Sequence, residues 1–110
     1  MGQIPSTQPT ELKEKLDDGE QVTVLDVRQP HEFERDHIEA PNARTVNVPL
    51  QKLQIADPEE LLDDVSTENV VAVCASGNRS GMATRLLNQA GIDARNLQYG
   101  MQGWRQIAPA

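Results

Sequence analysis

The most constraining feature of the sequence is the apolar run Val70-Val71-Ala72-Val73 and the segment that follows it. Its β-branched side chains favour a strand, and their unbroken apolar character is typical of a strand that is buried on both faces. A short glycine-containing turn then leads to a predicted helix at Ser80–Ala90, which Gly91 ends. A buried strand followed by a helix indicates a parallel sheet with a right-handed crossover.

The remaining segments alternate in the same way between strand and helix patterns. Three further strands are predicted at Val22–Val27, Thr45–Val48 and Asn96–Tyr99, and three further helices at Pro9–Leu16, Pro30–Asp36 and Asp57–Leu62. Such alternation is typical of the α/β class, in which helices cover both faces of a parallel sheet. We therefore expect a single domain over residues 1–110, with residues 1–9, which are polar and contain proline, partly flexible.

The composition argues against several classes of function. The formal net charge is −7, with 17 acidic and 10 basic residues, which disfavours nonspecific binding to nucleic acid and attraction to anionic membranes. No apolar run approaches the roughly 20 residues of a membrane-spanning helix. A single cysteine cannot form an internal disulfide, so nothing suggests an oxidising compartment. We expect a cytoplasmic protein and, by default, a monomer.

The segment Cys74–Ser80 joins the buried strand to the helix. In parallel sheets ligands bind beyond the carboxyl ends of the strands, which is where Cys74 lies. Small residues let the chain curl so that backbone N–H groups point towards the cysteine. The helix N-terminus adds roughly half a positive charge, and Arg79 adds a full one. Because these features stabilise a thiolate, we predict a nucleophilic Cys74 with a lowered pKa. The alternative is a small buried side chain that closes the strand.

Polar residues near the end of the Val22–Val27 strand are candidates for the structural support of this loop. Asp26 and Arg28 flank the strand end, and Glu32 lies one turn into the next predicted helix. We expect an internal ion pair between Arg28 and Glu32 to fix the turn, with a catalytic role as the less favoured alternative. His37 has no neighbouring Asp or Cys in the sequence, so a structural hydrogen bond is favoured over acid–base chemistry.

The segment Val70–Gly91 resembles the active-site region of rhodanese-homology domains, in which a cysteine is followed by four residues, an arginine, and a serine or threonine. Four further landmarks of that family occur in family order, at Leu25–Phe33, His37-Ile38, Asn47-Val48-Pro49 and Tyr99–Trp104. The ordered set covers nearly the whole chain, which makes the resemblance far more specific than any one landmark.

The resemblance implies a rhodanese-like three-layer fold, with a five-stranded parallel central sheet and helices on both faces. It also implies a thiosulfate sulfurtransferase-like activity, in which sulfane sulfur passes from a donor such as thiosulfate to cyanide or a thiol through a persulfide on Cys74. Cys74 is then the catalytic nucleophile, and no metal or organic cofactor is implied. The resemblance assigns binding of the small anionic donor to Arg79, Ala75, Ser76, Gly77, Asn78 and Ser80.

The sequence departs from the family pattern in two places. The segment from His37 to Asn47 is longer than is usual, and Ala75 stands where some thiosulfate-using members carry a basic side chain. The loop therefore holds one cation instead of two, and the physiological donor stays open between thiosulfate and other sulfur compounds.

Two other classes of function fit parts of the pattern. Cysteine phosphatases and arsenate reductases use a related anion loop with five residues between cysteine and arginine, whereas Cys74 and Arg79 are separated by four. The shorter ring suits a single sulfur atom better than a tetrahedral oxyanion. The second alternative is a protein-recognition or sulfur-relay module, which would deliver sulfur to the thiol of a specific protein partner.

Overall fold

The computed structural model describes residues 4–107, and within that range the chain forms five strands and six helices. The strands are β1 (Ser6–Thr7), β2 (Val22–Asp26), β3 (Ala43–Asn47), β4 (Val70–Val73) and β5 (Ala94–Leu97). The helices are α1 (Pro9–Asp17), α2 (Pro30–Arg35), α3 (Leu50–Ile55), α4 (Pro58–Leu61), α5 (Asn78–Gln89) and α6 (Gly100–Ile107). All strand pairs are parallel, in the order β1-β5-β4-β2-β3. The predicted α/β class is confirmed.

Two apolar clusters, one on each face of the sheet, form the core. Val70 and Ala72 of β4 pack in one cluster with Leu87 of α5, whereas Val71 and Val73 pack in the other. This division follows from the pleat of the strand, which sends alternate side chains to opposite faces. Helices cover both faces, so the three-layer fold implied by the family resemblance is also confirmed.

The register of the central strands brings several polar residues to one edge of the sheet. Asp26 is paired with Val73 on one side and with Asn47 on the other. The pairing continues past β2, because Val27 N donates to Val73 O at 2.9 Å. Asp26, Asn47 and Cys74 therefore emerge together at the carboxyl edge, where α/β proteins place their sites.

The short edge strand β1 has no counterpart among the strands predicted from sequence. Asn96 N donates to Pro5 O at 2.8 Å, and Gln98 N donates to Thr7 O at 2.9 Å. Ser6 and Thr7 thus pair with Asn96 and Leu97 of the sheet, and the partial flexibility expected for residues 1–9 stays a prediction. Residues 1–3 lie outside the part of the chain that the structure describes.

Three helices differ from the sequence prediction. α5 begins two residues before Ser80, because Gly77 takes a left-handed φ of 106° and serves as its N-cap. α3, for which no helix was predicted, starts immediately after Pro49. α6, for which no helix was predicted, begins at Gly100, three residues after the end of β5. Within residues 4–107, no helix has the length and apolar character needed to cross a bilayer.

The long segment between α2 and β3 is fixed by local contacts. The rings of Phe33 and His37 stack with their centroids 4.0 Å apart, and His37 Nδ1 lies 2.8 Å from Phe33 O. Ile38 is buried in the core, and its carbonyl accepts from Thr45 Oγ1 at 2.8 Å. His37 thus makes the structural hydrogen bond that was expected of it.

Candidate active site

The loop between β4 and α5 encloses the side chain of Cys74. Gly77 turns the chain with a φ of 106°, a conformation that other residues adopt only with strain. This turn directs the Gly77 N–H at the Cys74 Sγ, 3.0 Å away. Cys74 is only 1% exposed, so the thiol lies inside the loop, beneath its backbone, rather than on the protein surface.

The first turn of α6 holds the loop from the other side. Met101 N donates to Cys74 O at 2.8 Å, and Gln102 N donates to Ala75 O at 3.0 Å. Gly100 permits this approach, because a Cβ at that position would overlap the backbone of Cys74 and Ala75. The glycine at the start of α6 is therefore a requirement of the site.

The environment of the thiol favours its ionised form. Burial raises the pKa of Cys74, but hydrogen bonds from the Ser80 hydroxyl and from the backbone N–H groups of Ser80, Gly77 and Ser76 outweigh it, so the pKa lies below its ordinary value. The predicted lowering of the Cys74 pKa is confirmed, although the groups that cause it differ in part from those predicted. The hydroxyl of Ser80, and not Arg79, makes the largest favourable contribution.

Ser80 links the thiol to a residue on β5. Its Oγ lies 3.3 Å from the Cys74 Sγ and also within hydrogen-bond distance of Asn96 Oδ1. Asn96 Nδ2 donates to Gly77 O at 3.2 Å, which turns Oδ1 towards Ser80. A hydroxyl has one proton to donate. With a neutral thiol, S–H donates to Ser80 and Ser80 donates to Asn96; with a thiolate, the Ser80 proton turns to sulfur. Cys74 and Asn96 therefore compete for one proton.

Arg79 faces a carboxylate of α2. Its Nη1 lies 3.0 Å from Glu32 Oε1 and its Nη2 lies 3.3 Å from Glu32 Oε2, which is a bidentate ion pair. The hydrogen bond from Arg79 lowers the pKa of Glu32 to about 2 against an opposing effect of desolvation, and the Gln29 N–H adds to the lowering. The cation that we predicted would bind the donor is therefore already paired within the protein.

Arg28 pairs with Asp26 and not with Glu32, so the ion pair predicted between Arg28 and Glu32 is wrong. Arg28 Nη2 lies 2.8 Å from Asp26 Oδ2, and both side chains are almost completely buried. The same nitrogen donates to Asp36 O at 2.6 Å. Asn47 Nδ2 donates to the carbonyl oxygens of Asp26 and Arg28 at 2.9 and 3.0 Å. These contacts hold the chain after β2 in place beside the loop.

Ala75, Ser76 and Asn78, the other residues assigned to donor binding, have no side chain that contacts the Cys74 Sγ among the hydrogen bonds of the described residues. The carbonyl of Ala75 is bound by α6, and the side chains of Ser76 and Asn78 are exposed. Sequence reasoning did not single out Asn47 or Asn96. The available signal was an amide side chain on a predicted strand, which indicates a hydrogen-bond partner but does not identify it.

Two surface depressions bear on where a ligand could bind. One, of about 430 Å³, opens between α1 and α6, beside Leu16 and Trp104, and no residue of the Cys74–Ser80 loop lines it. The other, of about 290 Å³, is bordered by Gly77, Asn78 and Tyr99. We place the candidate site at the second, because Ser76, Gly77 and Asn78 of the Cys74–Ser80 loop border it.

Comparison with known proteins supports the same assignment. Residues 8–107 match the family model of the rhodanese-like domain. The putative sulfur carrier protein YrkF of Bacillus subtilis is 31% identical over 92% of this chain, and the chain spans about half of YrkF, 51% of its length. The putative sulfurtransferase YtwF of the same organism is 29% identical over 84% of this chain and 82% of its own length.

A solved structure agrees over nearly the full length of both chains. The human single-domain sulfurtransferase TSTD1 has a TM-score of 0.74 and 25% identity, and the match covers 96% of this chain and 98% of that one. The sheet order, the cysteine loop and these similarities agree with one another. The chain belongs to the rhodanese-like domain family, among whose members are proteins named as sulfur carriers and as sulfurtransferases.

Proposed function

We propose that this domain is a sulfurtransferase that carries sulfane sulfur as a persulfide on Cys74. The observation that supports this most directly is the position of the Sγ of the only cysteine, beside the Gly77 N–H and the Ser80 hydroxyl at the N-terminus of α5. Donors arranged in this way stabilise a thiolate. They also favour the negative charge of an ionised persulfide, since helix N-termini attract anions.

The reaction consists of two displacements at sulfur. In the first, the Cys74 thiolate attacks the outer sulfur of a donor such as thiosulfate. A new S–S bond forms at Sγ, the S–S bond of the donor breaks, and sulfite leaves with the electron pair. In the second, cyanide or a thiol attacks the outer sulfur of the persulfide, and the Cys74 thiolate leaves. The atoms and electrons balance within this exchange, which is covalent catalysis by a side chain.

The surrounding residues have distinct roles in this proposal. The backbone N–H groups of the loop from Ala75 to Ser80 surround the transferred sulfur, while Asp26 and Arg28 support the adjacent turn. A protein thiol is an acceptor as suitable as a small molecule, since a thiolate of either kind can attack the persulfide. The name of YrkF, a putative sulfur carrier, is compatible with such a relay.

Intact-mass measurement tests the proposal. Wild-type protein is incubated with thiosulfate and, in parallel, with cysteine persulfide. We expect a gain of one sulfur atom that cyanide or dithiothreitol removes, and no such gain for Cys74→Ser, because the chain has no second thiol.

Two controls make the result specific. Two oxygen atoms have almost the mass of one sulfur atom, so only a gain that cyanide reverses is counted as sulfur, because cyanide reverses neither methionine sulfoxides nor a cysteine sulfinic acid. Urea unfolding verifies that each variant is folded. Sulfur loading of Cys74→Ser, or no loading of folded wild-type protein from either donor, would contradict the proposal.

A further inference from the structure

The ion pair between Arg79 and Glu32 removes the free positive charge that an anionic donor would need. Arg79 is the only Lys or Arg in the segment Cys74–Ser80. Both of its terminal nitrogens are directed at the Glu32 carboxylate, at 3.0 and 3.3 Å. This fork-to-fork geometry is the strong form of an ion pair.

Glu32 is held in this position independently of Arg79. Its Oε1 also accepts from the Gln29 N–H at 3.0 Å, which closes the capping box of α2. The pKa of Glu32, lowered to about 2, keeps the carboxylate charged at any pH at which the protein is used. An anionic donor that binds Arg79 therefore has to displace the Glu32 carboxylate from it.

The second arginine near the site is also neutralised. Arg28 and Asp26 form a buried pair whose side chains are 3% and 1% exposed. With both pairs neutral, the Cys74 thiolate leaves the site with a net negative charge. The pKa of Arg79 is raised by Glu32 first and then, through space, by Cys74 and Asp26, so these charges lie close enough to interact. The chain as a whole, with these four residues included, carries a formal net charge of −7.

We propose that Glu32 is a specificity-determining residue that selects against dianionic sulfur donors and in favour of persulfides carrying at most one negative charge. This inference rests on the proposed function of Cys74. Thiosulfate is a dianion, and like charges in a partly desolvated site repel more strongly than in water. A persulfide on a small thiol or on a protein avoids most of that repulsion.

The favoured first step is balanced without a further reactant. The Cys74 thiolate attacks the outer sulfur of a donor R–S–SH, a new S–S bond forms at Sγ, and the S–S bond of the donor breaks. The donor leaves as the thiolate R–S⁻ with the electron pair, and the proton stays on the transferred sulfur. The leaving group R–S⁻ carries one negative charge at its sulfur, whereas sulfite, the leaving group from thiosulfate, carries two.

The test compares the two donors in Glu32→Gln, with Glu34→Gln as the matched control. Glu34 is an exposed residue of the same helix, so its replacement changes the net charge equally, but away from the loop. Sulfur loading is followed by intact mass at low salt. We expect Glu32→Gln to load thiosulfate roughly tenfold faster than wild type and cysteine persulfide within about twofold of it. Glu34→Gln should match wild type with both.

A salt series on the wild-type protein tests the repulsion on which the inference depends. Raising the ionic strength from about 0.02 to about 0.5 M shortens the range of repulsion. We therefore expect thiosulfate loading to accelerate while persulfide loading stays nearly constant. Slower thiosulfate loading at high salt would reveal attraction and overturn the inference.

The outcomes separate this inference from the proposed function. If neither donor loads the wild-type protein, the persulfide function fails and the inference fails with it. If both donors load it and Glu32→Gln leaves their ratio unchanged or slows thiosulfate, the function stands and the inference is overturned. Glu32 would then only hold Arg79 and the loop in place.

Discussion

Replacing Ser80 by alanine removes the side-chain hydrogen bond to the Cys74 Sγ and leaves the Gly77 N–H in place at 3.0 Å. A hydrogen bond to a charged group contributes about 1.5–3 kcal/mol. The lower end applies here, because Asn96 Oδ1 competes for the same proton. Since about 1.4 kcal/mol corresponds to a factor of ten, we expect the acid dissociation constant of the thiol to fall about tenfold.

The rate of alkylation by iodoacetamide as a function of pH measures this constant, because only the thiolate reacts. The inflection should move to higher pH in Ser80→Ala, while Ser66→Ala, which removes an exposed hydroxyl before β4, should match wild type. Asn96→Ala should shift the inflection the opposite way, since it frees the Ser80 proton for sulfur. An unchanged inflection in Ser80→Ala would mean that the backbone N–H groups alone stabilise the thiolate.

Three further predictions concern stability. Gly100→Ala should lower the unfolding free energy by about 1–3 kcal/mol in urea titrations, because its φ of 53° and the loop backbone leave no room for a Cβ; wild-type stability would contradict the assigned overlap. Arg28→Met leaves Asp26 buried without its partner and should cost about 3–5 kcal/mol in the same titration, and a smaller loss than about 1 kcal/mol would indicate that water replaces the arginine. Arg79 lowers the pKa of Glu32 from 4.5 to about 2, so the pair stabilises the fold above pH 4.5 and this contribution disappears as pH falls towards 2. Glu32→Gln should therefore lower the melting temperature by circular dichroism at pH 7 but not near pH 2, and an equal loss at both would exclude the ion pair as its cause.

The central strands and most of the helices follow from local patterns. Val70–Val73 is buried on both faces, as its unbroken apolar run predicted. The thiolate-stabilising loop also followed from sequence, because a strand, a glycine turn and a helix N-terminus are adjacent along the chain. The start of α5 was predicted at Ser80, two residues too late. The left-handed turn at Gly77 already begins the helix at Asn78.

The ion pairs could not be predicted because they depend on tertiary structure. Arg28 and Glu32 have a spacing of four residues, but Arg28 precedes α2 and turns back into the protein towards Asp26, which no helical periodicity describes. The partner of Glu32 is Arg79, 47 residues away, and the two meet only because β2 and β4 are neighbours. β1 is two residues long, too short for any periodic signal.

The contacts between α6 and the cysteine loop have a consequence for synthesis on the ribosome. A nascent chain that has emerged through α5 already contains Cys74, yet the N–H groups that bind the Cys74 and Ala75 carbonyls belong to Met101 and Gln102. Synthesis is vectorial and adds roughly 5–20 residues per second, so the thiol is exposed to the surrounding solution for a second or more before its loop is fixed. During that interval Cys74 lacks the contacts with α6 that fix its loop in the folded protein.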